Sequence, residues 1–145
     1  MGVAKTEWFI NDVLKHYKTK TVKAITLSCL LVQGNIQRRM RKKGGGRVYK
    51  TPGTSYALHT ASRAGEPPAS WSGRLAGGMR MRVGLKNDPM GGTMVVGQVG
   101  SDIKYLLYLE KSTLKMKARP VMGSTLYASG AGIMKLFKEV GATMG

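Results

Sequence analysis

Side chains able to do acid–base, nucleophilic or metal chemistry are few and scattered in this chain. It has two histidines, His16 and His59, one cysteine, Cys29, and seven acids in 145 residues. His59, Ser62 and Glu66 are the residue types of a hydrolase, but they stand on a proline-rich stretch with no rigid element to orient them. No His-Glu-x-x-His, Cys-x-x-Cys or Gly-x-Ser-x-Gly spacing occurs. Glu7 and Asp12 make no convincing general acid–base pair. The triple glycine Gly44-Gly45-Gly46 is not followed by Gly-Lys-Ser/Thr, so it is no phosphate-cradling loop. Cys29 lies in the apolar run Ala24–Val32, where a buried small side chain is expected rather than a reactive thiol. The chain is therefore not expected to be an enzyme, and neither a metal nor a cofactor is expected.

The chemistry that is abundant is positive charge. Lys plus Arg number 24 against 7 for Asp plus Glu, a formal +17. That much self-repulsion disfavours compaction unless an anionic partner screens it. Two clusters stand out. Arg38, Arg39, Arg41, Lys42 and Lys43 crowd one short segment, and Arg80 and Arg82 alternate with apolar residues. The first cluster also suits a helix C-terminus, where cations complement the dipole. Both are expected to contact DNA phosphate or an acidic protein, without base readout. No helix-turn-helix, RNP or paired zinc-ligand pattern argues for sequence-specific binding. The longest apolar run has nine residues, far short of the roughly 20 a membrane span needs, so no membrane partner is expected.

Several elements must carry these residues, and they read as one α+β domain over 1–145. From Thr6, a good N-cap, to Lys43 there is no proline and only Gly34. Apolar residues recur at near-helical spacing, predicting a helix over 6–43, continuous or broken near Lys18–Thr21. Unbroken, it is roughly 55 Å long, more than a small domain is wide. Residues 44–78 read as an extended loop or arm. Gly65-Glu66-Pro67-Pro68 has two fixed φ angles and lacks two backbone donors, so it is expected to reach a neighbouring subunit.

Met79–Lys86 alternates cleanly, with Met79, Met81, Val83 and Leu85 on one face and Arg80, Arg82 and Lys86 on the other. Thr93–Gly100 pairs with it as a hairpin, and Gly97 marks a bulge or a close backbone approach. A short helix capped by Asp102 follows over Ile103–Lys111, then a possible strand over Lys115–Arg119. Glu110 is expected to meet Arg119. A final helix from Pro120 to about Val140 is expected to cover the sheet's apolar face with Val121, Leu126, Ile133, Leu136, Phe137 and Val140. Gly141–Gly145 is expected to fray.

Two ordered blocks carry a resemblance. One is His59-x-Ala-Ser-x-x-Gly65-Glu66-Pro67-Pro68-Ala69-x-x-x-Gly73-x-Leu75. The other is Tyr105-x-x-Tyr108-Leu109-Glu110 followed by Arg119-Pro120. Together they resemble a family of minor tail components of long-tailed bacteriophages, the tail-completion and neck proteins at the head–tail joint, lambda's Z protein among them. The family shows Gly-Thr after the Tyr-Leu-Glu triplet and Phe after Arg-Pro. This chain has Lys111-Ser112-Thr113 and Val121 there. The matched blocks run from about Gly46 to Leu126.

The resemblance implies a structural virion protein in the tail or neck, present in the host cytoplasm during assembly. It implies a ring, typically sixfold, around the DNA channel, with Gly65, Glu66, Pro67, Pro68, Tyr105, Tyr108, Glu110 and Arg119 at subunit interfaces. Expected neighbours are a head-closure or adaptor protein, a tail terminator and the tail tube, with nonspecific contact to packaged DNA. A tail-terminator role and a sequence-nonspecific nucleic-acid-binding role are the alternatives.

Overall fold

The computed structural model describes residues 2–50, 58–69 and 72–141, with side chains from 14 onward. Its elements in order are α1 (Gly2–Met40), β1 (Val48–Lys50), β2 (Leu58–Thr60), α2 (Arg74–Gly77), β3 (Met79–Asp88), β4 (Gly92–Ser101), α3 (Tyr105–Lys111), α4 (Met122–Ala128) and α5 (Gly130–Val140). This is an α+β fold with two separate two-stranded antiparallel sheets, β1–β2 and β3–β4.

The helix α1 is unbroken for 39 residues, about 58 Å at 1.5 Å per residue. It passes through Lys18–Thr21, where Thr19 and Thr21 donate their hydroxyls to the carbonyls of Lys15 and Tyr17 at 3.0 and 2.9 Å and so stay satisfied within the helix. It begins at Gly2, so Thr6 lies within it and is not its cap. It ends at Met40 rather than Lys43. Arg41 N–H closes the last full turn onto Gln37 O, and Lys42 N–H tightens onto Arg39 O.

Ala24, Ser28, Val32, Ile36 and Met40 are all buried, one every fourth residue along α1. Such a row is an i±4 ridge, the packing surface of a helix. Ser28 keeps its hydroxyl satisfied by donating to Ala24 O at 2.8 Å. Around the lower half of this ridge gathers the core, with Ala76, Met79, Leu106 and Val121 packed on Val32, Ile36 and Met40. Two amide side chains fix the angle of approach. Gln33 Nε2 donates to Met79 O and Gln37 Nε2 to Ala76 O, both at 3.0 Å.

The β3–β4 hairpin is longer than its alternation suggested, ten residues per strand, pairing from Met79 with Ser101 to Asp88 with Gly92. Its turn is only Pro89–Gly91. Asp88 O accepts Gly91 N–H, the Asp88 carboxylate accepts Met90 N–H, and Gly91 takes φ +82°. That is the three-residue loop ending in a left-handed glycine. Residues directly opposite share a face, so Met81 with Val99 and Val83 with Gly97 turn one way, and Arg80, Arg82 and Lys86 the other. The basic face is solvent-exposed, as its alternation predicts.

The apolar face is covered by α1 and not by the C-terminal helix. At Gly97 the backbones come so close that an added Cβ would overlap Cys29 Sγ and lie 2.7 Å from Ile25 Cγ2. Gly97 is thus a close approach, not a bulge. The C-terminal segment packs along α1 instead, and Gly132 admits Leu31 there: an added Cβ would lie 2.9 Å from Leu31 Cδ2. It is two helices, parted at buried Ser129, whose hydroxyl accepts Asn35 Nδ2–H at 3.1 Å. Leu85 (52% exposed) and Leu126 (55%) are not in the core.

Three further expectations are corrected. Residues 44–78 are not one extended arm, since β1, β2 and α2 fall inside it. Asp102 does not cap α3: Ser101 Oγ accepts Ile103 N–H at 3.2 Å, and Lys104 is the cap residue. Lys115–Arg119 forms no strand, only a single bridge between Thr113 and Met116. The fraying expected at 142–145 lies outside the described residues.

The Gly97 contact gives a direct test. Gly97→Ala is expected to destabilise by about 1–3 kcal/mol, the usual scale of overpacking. Combining it with Cys29→Ala should recover part of that loss, giving a favourable coupling energy in urea unfolding. Additive losses would place Gly97 away from α1.

A candidate binding cavity and two basic surfaces

The segments singled out in the sequence are built into one region by three carbonyl and carboxylate contacts. After α1 the chain turns through Gly44–Gly46 and runs against Ala61. Gly46 N–H donates to Ala61 O at 2.8 Å, and Ala61 N–H to Arg47 O at 2.9 Å, extending the β1–β2 ladder. A Cβ on Gly46 would stand 2.7 Å from Ala61 O, and one on Gly45 would stand 2.7 Å from Glu66 Oε1. The glycines are there for close approach as well as for stopping a helix.

The arm does not leave its own chain. Glu66 N–H donates to Arg63 O, with Gly65 at φ +84° between them, the third-position glycine of a type II turn. The Glu66 carboxylate then accepts Arg63 N–H at 2.8 Å and Gly45 N–H at 2.9 Å. Gly65 N–H donates to Ala118 O at 2.9 Å, and Pro68 is buried. Gly65, Glu66 and Pro68, expected at a subunit interface, are each engaged within the chain. Pro67 is half-buried beside them. Two prolines remove ladder donors, but side-chain and flanking backbone groups still tie the turn down.

Glu110 does not meet Arg119. Its Oε2 accepts the backbone N–H groups of Val121 and Met122 at 2.9 and 3.1 Å, and its Oε1 that of Gly123 at 3.1 Å. These are donors that a helix start leaves unpaired, so the carboxylate caps α4. Arg119 is held by its backbone, N–H to Leu109 O at 2.7 Å. Its Nε is buried with no hydrogen-bond partner among the described residues.

Arg119 lines a cavity of about 570 Å³, and both sequence blocks converge on it. His59, Ser62, Pro68, Ala69 and Leu75 come from the first block; Tyr105, Leu109 and Arg119 from the second. Arg74 and Tyr49 join them, and sequence reading flagged neither as a site residue. Arg74 stood unnoticed because it follows a turn glycine, which draws attention to backbone rather than to charge. Tyr105 and Tyr108 are both half exposed, the latter outside the cavity lining.

The two basic clusters do not form one site. Arg38 Nη1 donates to Asn35 Oδ1 at 2.9 Å and Arg39 Nη1 to Ser124 Oγ at 3.2 Å. With Lys42 they line a notch beside Thr125 and Ser129. Arg80 and Arg82 line a separate shallow surface on the outer face of the hairpin, with Gln98 and Asp102. Arg41 and Lys43 are exposed past the helix end.

Two outcomes follow from the carboxylates. Glu110→Ala should cost about 1–2 kcal/mol as a lost cap, with no coupling to Arg119→Ala in a double-mutant cycle; a large coupling would restore the ion pair. Backbone hydrogen bonds, Arg63 first and then Gly45, hold the Glu66 carboxyl below its ordinary value of 4.5. A value lowered by folding means a stabilising contribution fully present above the unfolded value and lost as pH falls through the folded one. The Arg63 and Gly45 amide NMR shifts should therefore titrate together, with a midpoint below 4.5. A midpoint at or above it would remove those bonds. Compared with known proteins, the chain matches no protein family, no curated protein and no solved structure, so the site is read from its own residues.

Proposed function

We propose that this chain is a structural subunit of a long-tailed bacteriophage, a tail-completion or neck protein forming a ring around the DNA channel at the head–tail junction. The observation that carries the reading is the overhang of α1. Among its described side chains, 14 onward, the first buried one is Ala24, while Leu14 (61% exposed) and Tyr17 face solvent before it. A helix of about 58 Å whose described side chains over 14–19 are all exposed has its natural cover in another subunit. The hairpin repeats the pattern: its tip carries Met90 (94% exposed), with Leu85 and Met94 also uncovered. A two-stranded hairpin is marginal by itself and gains from a neighbour. Tyr105, Tyr108 and Tyr127 add further exposed aromatic area.

In this reading the protein is not an enzyme. It assembles in the host cytoplasm, resides in the virion and joins neighbouring rings: a head-closure or adaptor protein, a tail terminator or the tail tube. Six copies carry roughly +100 in formal charge, and the exposed Arg38–Lys43 and Arg80/Arg82 faces meet packaged DNA or acidic neighbours. Among the described residues no helix is long and apolar enough to cross a membrane. A tail-terminator ring has the same requirements, and the particle's own position in the neck separates the two roles.

A second reading, a sequence-nonspecific nucleic-acid-binding protein, is favoured by the outward basic face of the hairpin. Light scattering and negative-stain microscopy at low and moderate salt decide between them. A discrete ring without DNA is expected, and removal of residues 2–19 should leave a folded monomer. A wild-type monomer at every salt concentration, associating only when DNA is added, overturns the ring. Converting Arg38, Arg39 and Arg41 to Gln should flatten the salt dependence of DNA binding if those groups touch phosphate, since each neutralised phosphate releases counterion.

A further inference from the structure

The cavity around Arg119 is left unexplained by the ring reading, and its chemistry is specific. Arg119 and the exposed Arg74 line it together with His59, Tyr49 and Tyr105, and no carboxylate lines it among the described residues. The floor is apolar, with Pro68, Leu75 and Leu109. Arg119 is not free to wander: its backbone is bonded to Leu109, Ala118 beside it is bonded to Gly65, and Pro120 follows it. Its buried Nε–H lacks a partner among the described residues. A buried donor left unpaired costs on the order of 1–3 kcal/mol; Nε itself is closed to solvent, so an acceptor entering the cavity is met by the terminal nitrogens of Arg119.

We propose that this cavity is a docking site for an acidic peptide segment of a different protein, with a Glu or Asp carboxylate received by Arg119 and Arg74 and a flanking apolar side chain on the Pro68/Leu75/Leu109 floor. The planar guanidinium matches the two oxygens of a carboxylate. A duplex presents its phosphates on a convex ridge, which suits the outer basic faces and not a recess with an apolar floor.

The acid comes from elsewhere because this chain has few to offer. Of its seven acids, Glu66, Glu110 and Asp88 already accept backbone N–H groups, and Glu139 lies 3.7 Å from Lys135. Against 24 cations, an acidic partner supplies the complement that a second copy does not. The inference does not depend on ring formation, since it holds for a monomer or a ring.

The test uses the full chain and two probes, the blocked tripeptides acetyl-Leu-Glu-Leu-amide and acetyl-Leu-Gln-Leu-amide, followed by ligand-observed saturation-transfer NMR, which works for a monomer or a ring. The glutamate probe is expected to bind saturably and the glutamine probe at least about tenfold more weakly, the scale of one charge-assisted pair. Arg119→Lys keeps the charge but loses the planar fork, and should weaken the glutamate probe by a similar factor. Arg74→Gln provides a second variant if Arg119→Lys does not fold. The Arg38→Gln/Arg39→Gln/Arg41→Gln protein should bind the probe like wild type. Equal binding of the two probes, wild-type binding by both cavity variants, or a loss that tracks the Arg38–Arg41 variant instead overturns the proposal. So does displacement by equimolar inorganic phosphate, which would make the cavity a general anion site.

Discussion

One packed row of side chains on α1 holds the rest of this protein in place. Ala24, Ser28, Val32, Ile36 and Met40 lie one turn apart, and against them rest the β3–β4 hairpin, α2 and the C-terminal helices. The row works because its members are small at the top and large at the bottom. Beside that upper part of the row, Ile25 and Cys29 meet the hairpin so closely that position 97 has no room for a side chain. Near Ile36 and Met40 there is space for a true core, filled by Met79, Leu106 and Val121. Gln33 and Gln37, flanking the row, convert contact into a fixed orientation by binding two backbone carbonyls.

With α1 as frame, two glutamates organise everything that is not regular structure. Each accepts backbone N–H groups that local secondary structure cannot satisfy. Glu66 joins the turn after β2 to the glycines after α1, and Glu110 joins α3 to the start of α4. The Arg119–Pro120 segment runs between these two clamps. In a chain so rich in cations, spending these carboxylates on backbone leaves few acids for the guanidinium groups, and Arg38, Arg39 and Arg80 bond instead to Asn35, Ser124 and the carbonyls of Gly77 and Met79. Most of the surplus charge among the described residues therefore stands at the surface, as Arg38, Arg41, Lys42, Lys43, Arg80 and Arg82 do.

The distribution of apolar surface is consistent with a protein made to be covered. Among the described residues, Leu14 and Tyr17 on α1, the hairpin tip and one side of α4 keep large apolar side chains in solvent, Tyr127 at 91% exposure among them. These patches lie on elements that are regular and hydrogen-bonded in themselves. A neighbour that covers them has little backbone to order, which keeps the entropic cost of association low.

By itself the sequence determined the elements whose residues repeat with a clear period. The long α1, the alternation of β3 with its basic outer face, and the pairing of β3 with β4 all follow from local spacing, because a helix or strand must place like residues on one side. It also marked Gly97 and the two blocks that meet at Arg119. Tertiary structure alone decided who packs on whom. The C-terminal helices lie on α1 because α1 already covers the hairpin's apolar face, a competition that no local pattern records. Glu110 chose three backbone N–H groups over Arg119 because a helix start happened to arrive within reach. The proline-rich arm folded home for the same reason, since the glycines that receive Glu66 lie 21 residues away in the chain and are brought there by the α1 turn. Partner choice for a charged or polar group is set by three-dimensional proximity, and one-dimensional spacing carries that only within a single helix or strand.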